Sequence, residues 1–443
     1  MPIDLSAANT DRTVSATPPA PPAASPRRRQ TLFTLIASML CVTLTVVTGA
    51  AAEDWPWWRG PNHDGIAARQ DAPTQWSDTE HVIWSAEVPG RGYASPIVVG
   101  DHVYLATADL AGQRQDVLCY SRQSGELLWR RAVHEGGLKK EGNKKATLAS
   151  STVACVGDRL FVNFLNGGAV HTSALRRADG KVLWQTEIVK YTVHQGYGSS
   201  PIPFEDLLLV SADNKGGGAL AALAQDTGKI VWRHSRPAKP NYPSPSLVNI
   251  QGQTRMVMTG CDLVACFDPR SGKPLWEAPG ATTECVTTTV SDGRLVITSG
   301  GYPKNHVAAM SADGSGKVVW ENNTRVYVPS MLLKDGHLYA VADQGFAICW
   351  KLDTGEQLWR HRLPGRGDYT SSPVMTGDRI YATNESGQTT VFQATPEKFE
   401  VIATNQLGVG SYATQTLVGG RIYARVLTGT GDDHRERLYC LGN

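Results

Sequence analysis

Apolar and polar residues alternate along most of the chain in short runs, and each run ends at a turn rich in Gly or Asp. The clearest unit contains four such runs, Val328–Leu333, His337–Ala342, Phe346–Leu352 and Glu356–His361. Alternation with a period of two residues, bounded by tight turns, is typical of half-buried antiparallel strands. The unit is therefore predicted to form a four-stranded antiparallel sheet.

The last strand of this unit carries a Trp four residues after a turn Gly, and this spacing recurs along the chain. Six copies share it: Gly125/Trp129, Gly180/Trp184, Gly228/Trp232, Gly272/Trp276, Gly316/Trp320 and Gly355/Trp359. Successive repeat Trp residues, counted from Trp84, are 45, 55, 48, 44, 44 and 39 residues apart. A repeat of about 45 residues with four strands predicts a propeller blade.

Eight outermost strands can be counted. The seventh, near Phe399–Ala403, has lost both the Gly and the Trp, and the eighth is displaced to His81–Trp84 near the N-terminus. The C-terminal runs Thr414–Val418, Arg421–Val426 and Arg437–Leu441 supply only three strands. We therefore predict an all-β, eight-bladed propeller whose last blade is completed by the N-terminal strand, which leaves no open sheet edge. Seven blades are the alternative, because the seventh repeat is degenerate.

The repeat Trp has a structural interpretation. A large flat ring at one position per blade can fill the wedge between neighbouring blades. We assign this role to Trp84, Trp129, Trp184, Trp232, Trp276, Trp320 and Trp359.

The pattern of residues in the N-terminal region indicates a targeting segment. Arg27–Arg29 precede an uncharged apolar run, Leu32–Val47, and the small residues Ala50–Ala52 follow. This order predicts a signal peptide within residues 1–52 and export to the periplasm, the cell surface or the medium, with no membrane span after cleavage. An uncleaved anchor is the alternative, because the apolar run is long for a signal peptide. Residues 53–80 are predicted to be an extension and residues 81–443 the propeller.

Charge excludes one class of function. Removing the four Arg and two Asp of residues 1–52 from the totals of 43 and 41 leaves 39 basic and 39 acidic residues. A net charge of zero argues against a nucleic-acid-binding surface.

We expect the protein to be a monomer.

The positions of the cysteines in the repeat predict that they are core residues. Cys119, Cys266 and Cys349 occupy the strand position that Ala174 and Ala222 hold in other repeats. A small buried side chain suits that position, so buried free thiols are predicted. No cysteine or histidine spacing resembles a zinc site, and no metal site is predicted.

The two faces of the propeller are predicted to differ. The turns between first and second strands are short, whereas the opposite face carries long loops at 108–116, 211–218, 300–306, 384–389 and 427–437. The largest insertion, His134–Thr147, adds four lysines to this long-loop face. Binding residues concentrate on loops held by a rigid scaffold, so function is expected there.

Tyrosines mark the same face. Six innermost strands are predicted to begin with a Tyr, and polar residues precede several of them. Because innermost strands line a propeller's channel, these side chains are predicted to form a funnel mouth for a ligand or partner. The predicted binding residues are Arg91, Tyr93, His194, Tyr197, Tyr242, Tyr327, Arg366, Asp368, Tyr369 and Tyr412.

The sequence shows no set of residues with the spacing of a catalytic site. Asp368, Glu284 and Asp213 could each act as a general base, but no spacing links them to a nucleophile or a metal. Ser199–Pro201 and Ser371–Pro373 recur at the start of strands and are read as structural. We therefore predict no catalytic residues.

The repeat resembles a known family. Asp226-Thr227-Gly228-Lys229-Ile230-Val231-Trp232 and Asp353-Thr354-Gly355-Glu356-Gln357-Leu358-Trp359 are similar to the repeat of the PQQ-like β-propeller family. Trp55–Asn62 also resembles the opening of secreted bacterial members. The resemblance covers residues 55–65 and 81–443, and it is specific for the fold rather than for a function.

Two branches of that family give competing expectations. One is BamB, which the resemblance implies is a non-catalytic periplasmic scaffold. The other is the quinoprotein dehydrogenases, which would hold PQQ and calcium in the funnel. The chain departs from both: Leu40 before Cys41 is not an acceptable lipobox, and the adjacent cysteines that cover PQQ are missing. We favour a scaffold that binds a protein or carbohydrate partner, with a PQQ- and calcium-dependent alcohol or sugar dehydrogenase as the alternative.

Overall fold

The computed structural model describes residues 54–429 and 433–443, and every regular element in them is a β-strand. Eight sheets surround a central axis. The first four blades contain β3 Ile97–Val99, β4 His102–Asp109, β5 Arg114–Ser121 and β6 Leu127–Glu135; β7 Ala154–Val156, β8 Arg159–Asn166, β9 Ala169–Arg176 and β10 Val182–Lys190; β11 Ile202–Phe204, β12 Leu207–Ser211, β13 Gly218–Ala224 and β14 Ile230–Arg236; and β15 Ser246–Ile250, β16 Gln253–Gly260, β17 Leu263–Phe267 and β18 Pro274–Pro279.

The remaining blades follow the same order from the axis outward. They contain β19 Val290–Ser291, β20 Leu295–Gly300, β21 His306–Ser311 and β22 Val318–Asn322; β23 Leu332–Lys334, β24 His337–Val341, β25 Phe346–Lys351 and β26 Gln357–Arg362; β27 Val374–Thr376, β28 Arg379–Thr383, β29 Gln388–Gln393 and β30 Val401–Gln406; and β31 Thr416–Val418, β32 Arg421–Thr428, β33 Arg435–Gly442 and the N-terminal β2 Val82–Val88. The eight-bladed prediction is confirmed.

Closure occurs as predicted. Strand β2 pairs antiparallel with β33, and Trp84 lies opposite Cys440. The first and last strands of the propeller thus share one blade, so the ring is held by backbone hydrogen bonds between the chain's two ends.

The innermost strands are shorter than predicted. In the sixth blade, β23 begins at Leu332 rather than at Val328, and the tyrosines lie in the approach to their strands. Proline explains part of this shift, because Pro96, Pro201 and Pro373 precede innermost strands and have no N–H for a ladder hydrogen bond. The prediction that innermost strands begin with Tyr is wrong by four to five residues.

The repeat Trp residues pack against the next blade. The Trp184 indole Nε1 donates to the Gln225 carbonyl of the next blade at 3.1 Å, and Trp359 does the same to Thr395 at 2.8 Å. Four of the rings, those of Trp84, Trp129, Trp184 and Trp359, also pack at a tilt against an aromatic of their own blade, as Trp184 does with Phe161 at 5.9 Å. One side chain thereby joins two blades.

The N-terminal segment crosses the axis beneath the channel. Trp55 pairs with Val98 in the first blade, and the Pro56 carbonyl accepts the Cys155 N–H in the second. The Arg59 guanidinium donates to the Met331 carbonyl in the sixth blade at 2.6 Å. The short strand β1, Ile66–Ala67, then pairs parallel with β27 in the seventh. The segment therefore closes the end of the channel opposite the long loops.

The predicted signal peptide lies outside the described residues. Within the described ranges, no helix is long and apolar enough to cross a membrane. The seven cysteines found there, Cys119, Cys155, Cys261, Cys266, Cys285, Cys349 and Cys440, are buried and free.

Candidate functional site

The central channel forms a cavity of about 340 Å³ that opens on the long-loop face. Its closed end is Trp58, whose indole Nε1 donates to Thr288 Oγ1 at 2.8 Å. We call this cavity the central cup. Its volume lies in the range of about 300–1,000 Å³ that is usual for small-molecule sites.

A ring of eight hydroxyl side chains, one from each blade, lines the lower wall of the central cup. Its members are Ser95, Thr152, Ser200, Ser244, Thr288, Ser330, Ser372 and Thr414. At seven of the eight junctions a backbone N–H donates to the hydroxyl oxygen of the next blade, as Thr152 N–H does to Ser200 Oγ at 2.9 Å. At the eighth junction, Thr288 Oγ1 accepts the Trp58 indole instead. We call this set the hydroxyl ring.

Tyrosines line the cup above the hydroxyl ring. They are Tyr93, Tyr197, Tyr242, Tyr327 and Tyr412, five of the six predicted. Tyr93 and Tyr412 stack with their ring centroids 4.4 Å apart and their planes at 16°. Burial raises the pKa of Tyr93 to about 12, and the neighbouring Tyr412 adds to the shift. These phenols therefore stay protonated and neutral at physiological pH.

Tyr369, the sixth tyrosine, does not line the cup. Its ring packs in the apolar cluster between the sixth and seventh blades, and only 2% of the residue is exposed. Gly345 lies against the ring, where an added Cβ would come within 3.0 Å of Tyr369 Cε2. Interblade packing thus holds Tyr369 away from the channel.

His194 belongs to a polar network on one wall of the cup. Its Nδ1 lies 3.2 Å from the Tyr242 hydroxyl and 3.2 Å from Glu284 Oε1. Tyr327 donates to Glu284 Oε2 at 3.0 Å. Burial, with the nearby Glu284 carboxylate, raises the pKa values of Tyr242 and Tyr327 above the ordinary phenol value. The network fixes the two rings in place.

The lysine-rich insertion crosses the mouth of the cup, and we call residues 137–147 the strap. Asn143 Nδ2 donates to Gln195 Oε1 at 2.9 Å on one side. Lys145 reaches the opposite side, 2.8 Å from Glu385 Oε2 and 3.6 Å from the predicted site residue Asp368. The Glu385 hydrogen bond raises the pKa of Lys145. The strap is therefore pinned at both ends across the opening.

The two predicted arginines lie outside the cup. Arg91 flanks Tyr93 in an adjacent recess, with its side chain 61% exposed and 4.0 Å from Glu436. Arg366 is exposed on the loop before Tyr369, and its carbonyl accepts the Asn384 side-chain amide. Both belong to the surface around the mouth.

Calcium-bound PQQ does not fit this donor set. Protein calcium sites use about six to eight oxygen ligands, several of them carboxylates. The side chains that line the cup include no Asp or Glu, and the nearby Glu284 is already engaged: its Oε2 accepts the Tyr327 hydroxyl and its Oε1 lies 3.2 Å from His194 Nδ1. Across residues 54–429 and 433–443, no group of three His, Cys, Asp or Glu is placed to share a metal ion.

Sequence reasoning missed the hydroxyl ring and Trp58. Ser200 and Ser372 were read only as structural residues at the start of strands. A usable signal was present, because a Ser or Thr follows each of the six tyrosines after two or three residues. No local pattern could show that Trp58 closes the channel, since its partner Thr288 is 230 residues away.

The architecture and the repeat define an eight-bladed propeller built from PQQ-like repeats. The sequence profile of the family described as outer membrane protein assembly factor BamB matches residues 66–192, 113–361 and 218–441. The chain belongs to this family.

Individual relatives agree on the fold. The chain is 25% identical over 345 residues to the outer membrane protein assembly factor BamB of Burkholderia pseudomallei, covering 69% of this chain and 86% of the relative. The crystal structure of BamB from Moraxella catarrhalis superposes with a TM-score of 0.58 at 14% identity over 81% of this chain and 96% of that one. A europium-containing methanol dehydrogenase gives a TM-score of 0.63 at 12% identity over 88% and 98%. The scaffold is thus shared by assembly factors and dehydrogenases.

Proposed function

We propose that this protein is an exported, non-catalytic scaffold whose long-loop face binds a protein partner, as the similarity to BamB suggests. Exposed apolar side chains on that face carry the proposal. Leu110, Tyr302 and Val409 are 41%, 56% and 46% exposed at the tips of three separate loops. Apolar tips around a polar opening are typical of protein–protein interfaces.

Unpaired cations on the same face indicate the charge of the partner. Lys139, Lys140 and Lys144 on the strap and Arg366 beyond it are exposed, and none forms an ion pair with another described residue. Free cations at the rim of an interface steer an acidic partner toward it. This combination favours an acidic protein surface over a neutral carbohydrate as the partner.

The cup supports a scaffold rather than the alternative dehydrogenase. Its lining offers hydroxyls and phenols but no carboxylate to hold calcium or to accept a proton from an alcohol. Purified residues 53–443 mixed with PQQ should therefore show no calcium-dependent quinone binding and no dye reduction with alcohols or sugars. Turnover would support the dehydrogenase instead.

Site-specific photo-cross-linking in the cells that make the protein tests partner binding. A photoreactive residue at Leu110, Tyr302 or Val409 should give one adduct of the same mass. Leu128 and Val231, which are 45% and 52% exposed on the outer rim, are the matched controls. The triple variant K139E/K140E/K144E should weaken the adduct. Equal cross-linking from the rim, or no adduct from the face, would refute the proposal.

Export needs its own test. Alkaline phosphatase folds to an active enzyme only in an oxidising compartment, so fusion after residue 80 reports translocation. We expect activity from the intact fusion and loss of activity when residues 32–47 are deleted. Equal activity from both would refute export through this segment.

A further inference from the structure

The hydroxyl ring leaves eight hydrogen-bond donors facing the central cup. A Ser or Thr hydroxyl carries one donor and two acceptor lone pairs. Each ring oxygen except that of Thr288 accepts a backbone N–H, and Thr288 accepts the Trp58 indole. Among the residues that the structure describes, no protein acceptor receives a proton from any of the eight hydroxyls. The lower cup therefore presents eight hydroxyl protons that no described protein group accepts, beside the one lone pair that stays free on each oxygen.

These donors are buried and held in place. All eight ring residues are at least 94% buried, and each oxygen is tied to the neighbouring blade except that of Thr288, which is tied to Trp58. A donor fixed before binding costs little conformational entropy when a ligand arrives. A ligand group that reaches this level must supply acceptor oxygens, because the buried O–H groups have no protein partner.

The aromatic level above the ring selects the body of the ligand. Tyr242 is held by His194 and Tyr327 by Glu284, so two of the rings have fixed orientations. Tyr93 and Tyr412 supply a stacked pair on another part of the wall. Fixed aromatic rings favour a flat or apolar body that packs against them.

The charge of the lining decides between a cationic and an anionic ligand group. The lining contains no carboxylate, and its single charged side chain is the Lys145 ammonium at the mouth. A cation would find no counterion in the lining, whereas a carboxylate would accept several hydroxyl protons at once.

We propose that the central cup binds a small aromatic carboxylate, with the carboxylate on the hydroxyl ring and the aromatic body among Tyr93, Tyr242, Tyr327 and Tyr412. The site is independent of partner binding on the outer face. The chemistry is recognition alone, with no bond made or broken.

The probe is 4-fluorobenzoate, followed by ¹⁹F NMR on purified residues 53–443. We expect saturable binding and at least tenfold weaker binding of 4-fluorobenzyl alcohol, which keeps the ring but lacks the anionic acceptor. The double variant T152V/T414V keeps the side-chain shape and removes two ring hydroxyls, so affinity should fall by about tenfold or more. The matched control T152S/T414S keeps both hydroxyls and should bind within about threefold of the wild type.

A second variant keeps the proposal testable if the ring variants do not fold. Tyr93→Leu leaves the hydroxyl ring intact and should weaken 4-fluorobenzoate by about fivefold through the lost stacking. The proposal is overturned if the wild type shows no saturable binding, or if the alcohol binds as tightly as the carboxylate. It is also overturned if neither T152V/T414V nor Y93L changes the affinity.

Discussion

Trp76 stacks on Tyr381 with ring centroids 6.3 Å apart and an interplanar angle of 16°. The seventh blade lacks a repeat Trp, and Tyr381 lies on its second strand, β28. In the second blade, repeat Trp184 meets second-strand Phe161 at 5.9 Å. The N-terminal extension therefore supplies from outside the blade the ring that the seventh repeat has lost.

Removing this ring should destabilise the propeller. Trp76 is 96% buried, and Asn405 binds both its backbone N–H and the Thr74 carbonyl. We expect Trp76→Ala to lower the free energy of unfolding by about 3–5 kcal/mol. Urea denaturation monitored by circular dichroism measures the change. Leu128→Ala, at an exposed position, should stay within about 0.5 kcal/mol of the wild type; equal effects would contradict the assignment.

This contact shows where the sequence was informative and where it was not. The spacing of Gly and Trp, with alternation of period two, was enough to predict eight blades and their closure, because those signals are local to each repeat. The same reading showed that the seventh repeat was degenerate. It could not show that Trp76 replaces the missing ring, since Tyr381 and Asn405 lie more than 300 residues further along the chain.

For the site too, the sequence predicted what is local to each repeat and not what depends on contacts between blades. Five of the six tyrosines line the cup because their place in the repeat sets their distance from the axis. Tyr369 differs because Gly345 leaves room for its ring between blades, and that space depends on a neighbouring blade. The binding role of the predicted residues remains a prediction.

In five blades the turn glycine faces the Trp of the preceding blade; these glycines are Gly125, Gly180, Gly228, Gly272 and Gly355. Gly228 can test this contact. Its φ is +72°, and an added Cβ would lie 2.5 Å from Trp184 Cδ2. We expect Gly228→Ala to destabilise the fold by about 1–2 kcal/mol from backbone strain and by about 1–3 kcal/mol more from overpacking.

Gly336→Ala is the matched control for that variant. Gly336 has the same φ of +72°, but an added Cβ meets nothing within 4 Å. The difference in unfolding free energy between the two variants measures the indole contact. Equal destabilisation would mean that the Trp tolerates the methyl group.

The strap should loosen when its ion pair is removed. Lys145 is the residue that ties the strap to Glu385 and Asp368 across the mouth. We expect Lys145→Met to speed amide hydrogen exchange in residues 137–147, with little change in global stability because the side chain is half exposed. Lys144→Met, one residue away and without an ion pair, should leave exchange unchanged. Salt at 1 M should reproduce part of the K145M effect in the wild type; identical exchange in both variants would contradict the role of Lys145.

Acid should weaken the N-terminal segment through His63. Burial lowers the pKa of His63 from 6.5 to about 4, and the ring stacks on Trp57 at 5.3 Å. Between pH 6.5 and 4 the unfolded chain binds a proton that the folded protein does not, so stability falls as the pH falls. At about 1.4 kcal/mol per pKa unit, the loss reaches at most roughly 3 kcal/mol near pH 4.

His63→Phe isolates this effect, because Phe keeps a stacking ring and cannot be protonated. The unfolding free energy of the variant should depend less steeply on pH between 6.5 and 4 than that of the wild type, while the two curves run parallel above pH 7. His134 retains its own contribution in both proteins, since burial lowers its pKa to about 4 as well. Parallel curves over the whole range would mean that His63 titrates in the folded protein as it does in the unfolded chain, and that burial under Trp57 costs its protonated form nothing.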